Sequence, residues 1–160
     1  MKTRTRQRRT EGVKPTVFVV DDDKMMRAVM VSLFQDSGLN SEAFTGTEPE
    51  LVGAVVSRAD AVLLDKNLLP DETKLTGTRL PRSGLDIAQR IKQEAPWVKI
   101  ALFSAEGAEP PQHMAPHDAF IEKIPGIPPS TVVNRVKSLL AAGFPELKTL
   151  PESTPKKKKN

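Results

Sequence analysis

The reactive side chains of this chain fall into a few short clusters: the triple Asp21-Asp22-Asp23, then Asp65, Ser104 and Lys123. Each comes directly, or within two residues, after a short apolar run. Carboxylates gathered in one place repel one another, and a cation is needed to offset that cost. An all-oxygen set without His or Cys selects Mg²⁺ or a similar hard ion. A hydroxyl and an ammonium beside such a set provide a hydrogen-bond donor and a charge-assisted clamp, which is what the oxygens of a phosphoryl group need. Taken singly, each residue has a plainer reading: an acidic pair after a strand is a helix cap, a lone lysine a solvated charge, a lone serine a cap. Their joint placement depends on the elements that carry them.

The apolar runs Val17–Val20, Glu42–Phe44, Ala61–Leu64, Ile100–Phe103 and Ala119–Ile121 are too short for helices and suit buried strands. Amphipathic stretches alternate with them. Met26, Val29, Met30, Leu33 and Phe34 share one helical face, with Gly38 where a left-handed cap belongs. Thr47-Glu48-Pro49-Glu50 reads as a capping box before Leu51, Ala54 and Val55. A third helix is predicted from Ser83-Gly84-Leu85-Asp86 through Ile87, Ala88 and Ile91. A last one, from near Ser130, gathers Val132, Val133, Val136, Leu139 and Leu140 before Gly143. This alternation predicts a parallel sheet with helices on both faces, and in such sheets ligands bind beyond the carboxyl ends of the strands. Asp21, Asp22, Asp65, Ser104 and Lys123 all fall there, after strands one, three, four and five.

The composition fits this reading. One domain fits in 160 residues, and the lack of cysteine excludes disulfides, thiolate zinc and thiol nucleophiles. The net charge of +4 is unevenly spread: six basic and one acidic residue lie in 1–14, five and two in 145–160, which leaves the body at −4. Nucleic-acid binding by the body is therefore not expected. The predicted organisation is a basic disordered tail over 1–14, a folded domain over 15–143 and a second basic disordered tail over 144–160. The tails are suited at most to weak contact with polyanions. With no signal-like or membrane-spanning stretch, a cytoplasmic protein is expected.

On these residues, positions 16 to 142 resemble the receiver domain of two-component response regulators, and in particular the stand-alone chemotaxis type. The resemblance implies a flavodoxin-like, doubly wound five-stranded parallel sheet of order 2-1-3-4-5. It also implies Mg²⁺-dependent transfer of a phosphoryl group from a phosphohistidine to Asp65. By the same resemblance Asp22 is the closer metal ligand and Asp21 acts largely through water. The backbone carbonyl of Asn67 completes the metal shell, and Asp23 is a variable neighbour. Ser104 is the switch hydroxyl, Lys123 the phosphate-binding lysine and Phe120 the aromatic switch. Asn67 and Glu106 line the approach of the hydrolytic water and tune dephosphorylation. The implied partners are a histidine kinase or phosphotransfer protein upstream and a further protein downstream, with no DNA-binding domain. The protein would be a switch rather than a turnover enzyme.

Three features depart from that family. A polar insertion spans 71–83 beside Asp65. Gly107, Pro110, Pro111 and Pro116 should reduce the fourth helix to a turn or two, which would shift output to the last helix and the insertion. Lys123-Ile124-Pro125 replaces the family's Lys-Pro pair, and a cis bond after Lys123 would cost about 2.5–4 kcal/mol. His113 and His117 are expected to be exposed. Two other classes compete: a receiver-fold scaffold that is never phosphorylated, and an aspartyl-phosphate hydrolase of the haloacid dehalogenase type. The second would want an Asp at position 67, where the chain has Asn.

Overall fold

The computed structural model describes residues 14–66, 84–105 and 108–141. The insertion 71–83 and nearly all of both tails lie outside the described residues. The elements are β1 (Thr16–Val20), α1 (Lys24–Asp36), β2 (Asn40–Phe44), α2 (Leu51–Arg58), β3 (Ala61–Asp65), α3 (Gly84–Glu94), β4 (Lys99–Ser104), β5 (Ala119–Glu122) and α4 (Pro129–Leu140). All strand pairs are parallel, in the order β2-β1-β3-β4-β5. This is the parallel sheet that the alternation predicts, in the flavodoxin-like order that the resemblance implies, and each strand is one or two residues longer than its apolar run.

Side chains alternate across a strand, so the continuous apolar runs of β1, β3 and β4 divide between two cores. Val17, Val19, Leu63, Ala101 and Phe103 pack beneath α1 and α4 with Met30, Phe34, Val133 and Val136. Phe18, Val20, Val62, Leu64 and Leu102 pack beneath α2 and α3 with Val55, Ile87 and Ile91. The edge strand β2 is only half-buried. Its Glu42 takes a two-pronged hydrogen bond from Arg58, whose guanidinium also lies 5.5 Å from the centre of the Phe18 ring.

Local chemistry differs from the sequence reading in two helices, on one face of α1 and at the start of α2. Val29 is exposed, and Val31 packs towards the core instead. The Thr47–Glu50 capping box does not form, and α2 starts at Leu51 without a side-chain cap. Glu48 instead accepts the Thr45 and Gly46 N–H groups and the Thr45 hydroxyl, which ties up the loop ahead of the helix. Burial pushes the Glu48 carboxyl up, but these hydrogen bonds outweigh it and hold the group below its ordinary range. Gly38 meets expectation: its φ of 86° provides the left-handed turn that lets the Leu39 N–H reach the Phe34 carbonyl.

Between β4 and β5 the described residues contain only a turn at Gln112–Met114, in keeping with the prolines. His113 is exposed as expected, but His117 is not. Its side chain is 1% exposed, with Nδ1 2.6 Å from the Ala115 carbonyl and Nε2 2.7 Å from Glu109. The His117 N–H donates to the Gln112 side chain at 3.0 Å. Without helical hydrogen bonds, the segment's polar groups need other partners, and the imidazole supplies them from within. All described peptide bonds are trans, including the one after Lys123. Replacing His117→Ala removes this buried network, and we expect a loss of ~2 kcal/mol. Urea unfolding should show it as a lower midpoint at unchanged slope.

Candidate functional site

The carboxyl ends of β1 and β3 are adjacent, so the sheet itself brings the acidic residues together. Asp21 follows β1, and its N–H continues the ladder by donating to the Phe44 carbonyl at 3.1 Å. Asp65 ends β3. Both are buried, whereas Asp22 is exposed at the rim. Carboxylate oxygens of Asp21, Asp22 and Asp65 lie within 4.8 Å of one another. Two unit charges at that separation repel by roughly 3 kcal/mol in an effective dielectric of ~20, so the cluster needs compensation.

Lys123 provides part of it. Its backbone is fixed where β5 leaves the sheet, by an N–H bond to the Ser104 carbonyl at 2.8 Å. Its ammonium reaches back over the sheet edge, donating to Asp21 Oδ2 at 2.9 Å and lying 3.4 Å from Asp65 Oδ2. The Asp21 Oδ1 atom accepts the Asp23 N–H at 2.9 Å. Both Asp21 oxygens are thus engaged, and this residue contributes charge to the cluster more readily than direct ligation. Three carboxylates against one ammonium leave a net double negative charge in an all-oxygen setting, a donor set that suits a divalent hard cation such as Mg²⁺.

The rest of the site is built from backbone. Ser104, the last residue of β4, is buried beside this edge. A Cβ at Gly84, the first residue of α3, would collide with the Asp65 carbonyl, so only glycine lets the helix start against the end of β3. Phe120 is half-buried and packs on the opposite core, beneath α2 and α3. Asn67 and Glu106 lie outside the described residues. Two roles escaped the sequence reading. Asp23 is the N-cap of α1, accepting the Met25 and Met26 N–H groups, and the signal was its position just ahead of the helical stretch. Arg27, one turn into α1, donates to the Asp21 carbonyl at 2.8 Å. No pattern in the sequence pointed to that bond.

Comparison with known proteins agrees with this geometry. No protein-family model matches the chain. It is 29% identical over 101 residues to the probable transcriptional regulatory protein TcrX of Mycobacterium tuberculosis, a match covering 63% of this chain and 38% of that protein. The chain thus spans well under half the length of that curated relative. The BeF3-activated receiver domain of DrrB from Thermotoga maritima superposes with a TM-score of 0.62 at 24% identity, covering 80% of this chain and 98% of that one. A CheY-like receiver domain protein from Methanospirillum hungatei JF-1 gives a TM-score of 0.66 at 17% identity, covering 84% and 99%. Strand order, helix placement and these superpositions together identify the fold of this chain as that of response-regulator receiver domains.

Proposed function

We propose that the chain is a phosphoacceptor response regulator in which Asp65 takes a phosphoryl group from a phosphohistidine. The observation that carries this reading is the Lys123 ammonium held between Asp21 and Asp65 inside a three-carboxylate cluster. A carboxylate oxygen of Asp65 attacks phosphorus, the P–N bond to the imidazole breaks, and the product is an acyl phosphate. Both reactants are anions, so the step needs positive charge at the transferring group. Lys123 is already at the edge of the cluster and passes from the carboxylates to a phosphoryl oxygen. The Ser104 hydroxyl donates to another. Asp21, Asp22, Asp65 and the Asn67 carbonyl would hold Mg²⁺, which when bound neutralises charge on the phosphoryl oxygens.

Release is by water in line with the new bond, and Asn67 and Glu106 tune its rate. Ser104 drawn towards the phosphoryl group and Phe120 turning inward would carry the signal outwards. The donor is a histidine kinase or phosphotransfer protein, and the output is a change in binding to a further protein. Exposed Met25 and Val29 on α1, with Ile124 and Ile127 after β5, offer apolar surface around this edge for a donor protein. The protein acts as a switch, and a cytoplasmic location suits it. Among the described residues, no helix is long and apolar enough to cross a membrane.

Among the described residues between β4 and β5 there is no helix, and this favours a second reading, an unphosphorylated scaffold. Acetyl phosphate with Mg²⁺ separates the two. The wild-type chain should acquire a hydroxylamine-sensitive phosphoryl group, and a scaffold would acquire none. Asp65→Asn should abolish uptake while its melting temperature holds or rises, since removing one carboxylate relieves repulsion; phosphate at another aspartate would overturn the assignment. In calorimetric titration with Mg²⁺, Asp22→Ala should bind at least about tenfold more weakly, a loss of ~1.4 kcal/mol. Unchanged affinity would remove Asp22 from the metal site.

A further inference from the structure

We propose that Phe103 is a positioning residue for this site: the face of its ring holds the Lys123 ammonium against Asp21 and Asp65. The inference rests on the reading of Asp65 as the acceptor. Lys123 Nζ lies 4.8 Å from the centre of the Phe103 ring while it contacts both carboxylates. Phe103 is 5% exposed and the Lys123 side chain 17%, so the contact is largely withdrawn from water. Attraction between a cation and the negative face of an aromatic ring is strongest under those conditions.

The strand register accounts for this arrangement. Phe103 pairs with Asp65 on one side and with Ile121 on the other, and Ile121 stands two residues before Lys123. The period of two places Asp65, Phe103 and Ile121 on one face of the sheet, the face covered by α1 and α4. The Phe103 carbonyl accepts the Lys66 N–H at 3.2 Å, which ties this residue to the backbone just after the acceptor.

The choice of partner has a chemical consequence. A further carboxylate on this side of the ammonium would hold it in place and compete with an incoming phosphoryl oxygen. A ring face offers attraction without a hydrogen-bond acceptor, so Lys123 can move from its carboxylates to the phosphoryl group while keeping this contact. An aliphatic side chain of similar bulk would fill the core and leave that side of the ammonium unattended.

Ring fluorination tests the idea, because it weakens the negative face at almost constant shape. With phenylalanines carrying successively more ring fluorines at position 103, labelling of Asp65 by acetyl phosphate should slow stepwise. The expected loss is about tenfold across the series, ~1.4 kcal/mol, at an unchanged thermal midpoint. In the metal-free protein, the Lys123 methylene protons next to the ammonium should be shifted upfield by the ring, and Phe103→Leu should abolish that shift. A flat rate series, or protons without an upfield shift, overturns the role of Phe103 while wild-type labelling stands. A wild-type chain that takes no phosphate overturns the acceptor reading itself.

Discussion

Three carboxylates and one ammonium share the carboxyl edge of a parallel sheet, and this crowding of charge is the constraint that the surrounding structure answers. Asp21 is almost wholly buried, and an unpaired buried carboxylate is costly. Its pairing with Lys123 spans 102 residues of sequence, so the site exists only when the fold is complete. The sheet ladders continue beyond the strands at Asp21 and Lys123 and fix the backbone on both sides of that pair. Asp23 caps α1, Arg27 holds the Asp21 carbonyl, and Gly84 lets α3 approach the end of β3. Each of these local bonds reduces the freedom of the charged side chains.

The fold was legible because the central strands are buried on both faces and therefore read as unbroken apolar runs. The candidate site was legible for a related reason: parallel strands deliver whatever follows them to one edge, so placing Asp21, Asp65 and Lys123 after strands was enough to gather them, with Ser104 buried at the end of the neighbouring strand. What escaped the sequence depends on contacts between distant segments. Val29 has the right spacing for the α1 core face yet lies exposed, since a stripe defined by period alone leaves its width open. Thr47-Glu48-Pro49-Glu50 has the pattern of a capping box, but Glu48 finds better donors in Thr45 and Gly46. His117 is polar and set among prolines, which suggested exposure, and only the folded segment shows the partners that make its burial tolerable.

The connection between β4 and β5 bears on the proposed switch. Where a receiver would carry a helix, the described residues form a turn held by His117, by the Gln89 side chain on the Met114 carbonyl and by Lys66 on the Ala108 carbonyl. The last of these contacts begins one residue after Asp65. A segment fixed by a few side-chain bonds responds to different forces from a helix that moves as a rigid body, and one of its anchors lies beside Asp65, the proposed acceptor.

Lys123 offsets the repulsion within the acidic cluster, and a double-mutant cycle on stability tests this most directly. Urea unfolding of the wild type, Asp65→Asn, Lys123→Met and the double variant gives the coupling between the two side chains. A coupling of about 1–3 kcal/mol is expected, with Lys123→Met more destabilising beside Asp65 than beside Asn at that position. Additive effects, within about 0.5 kcal/mol, would contradict it.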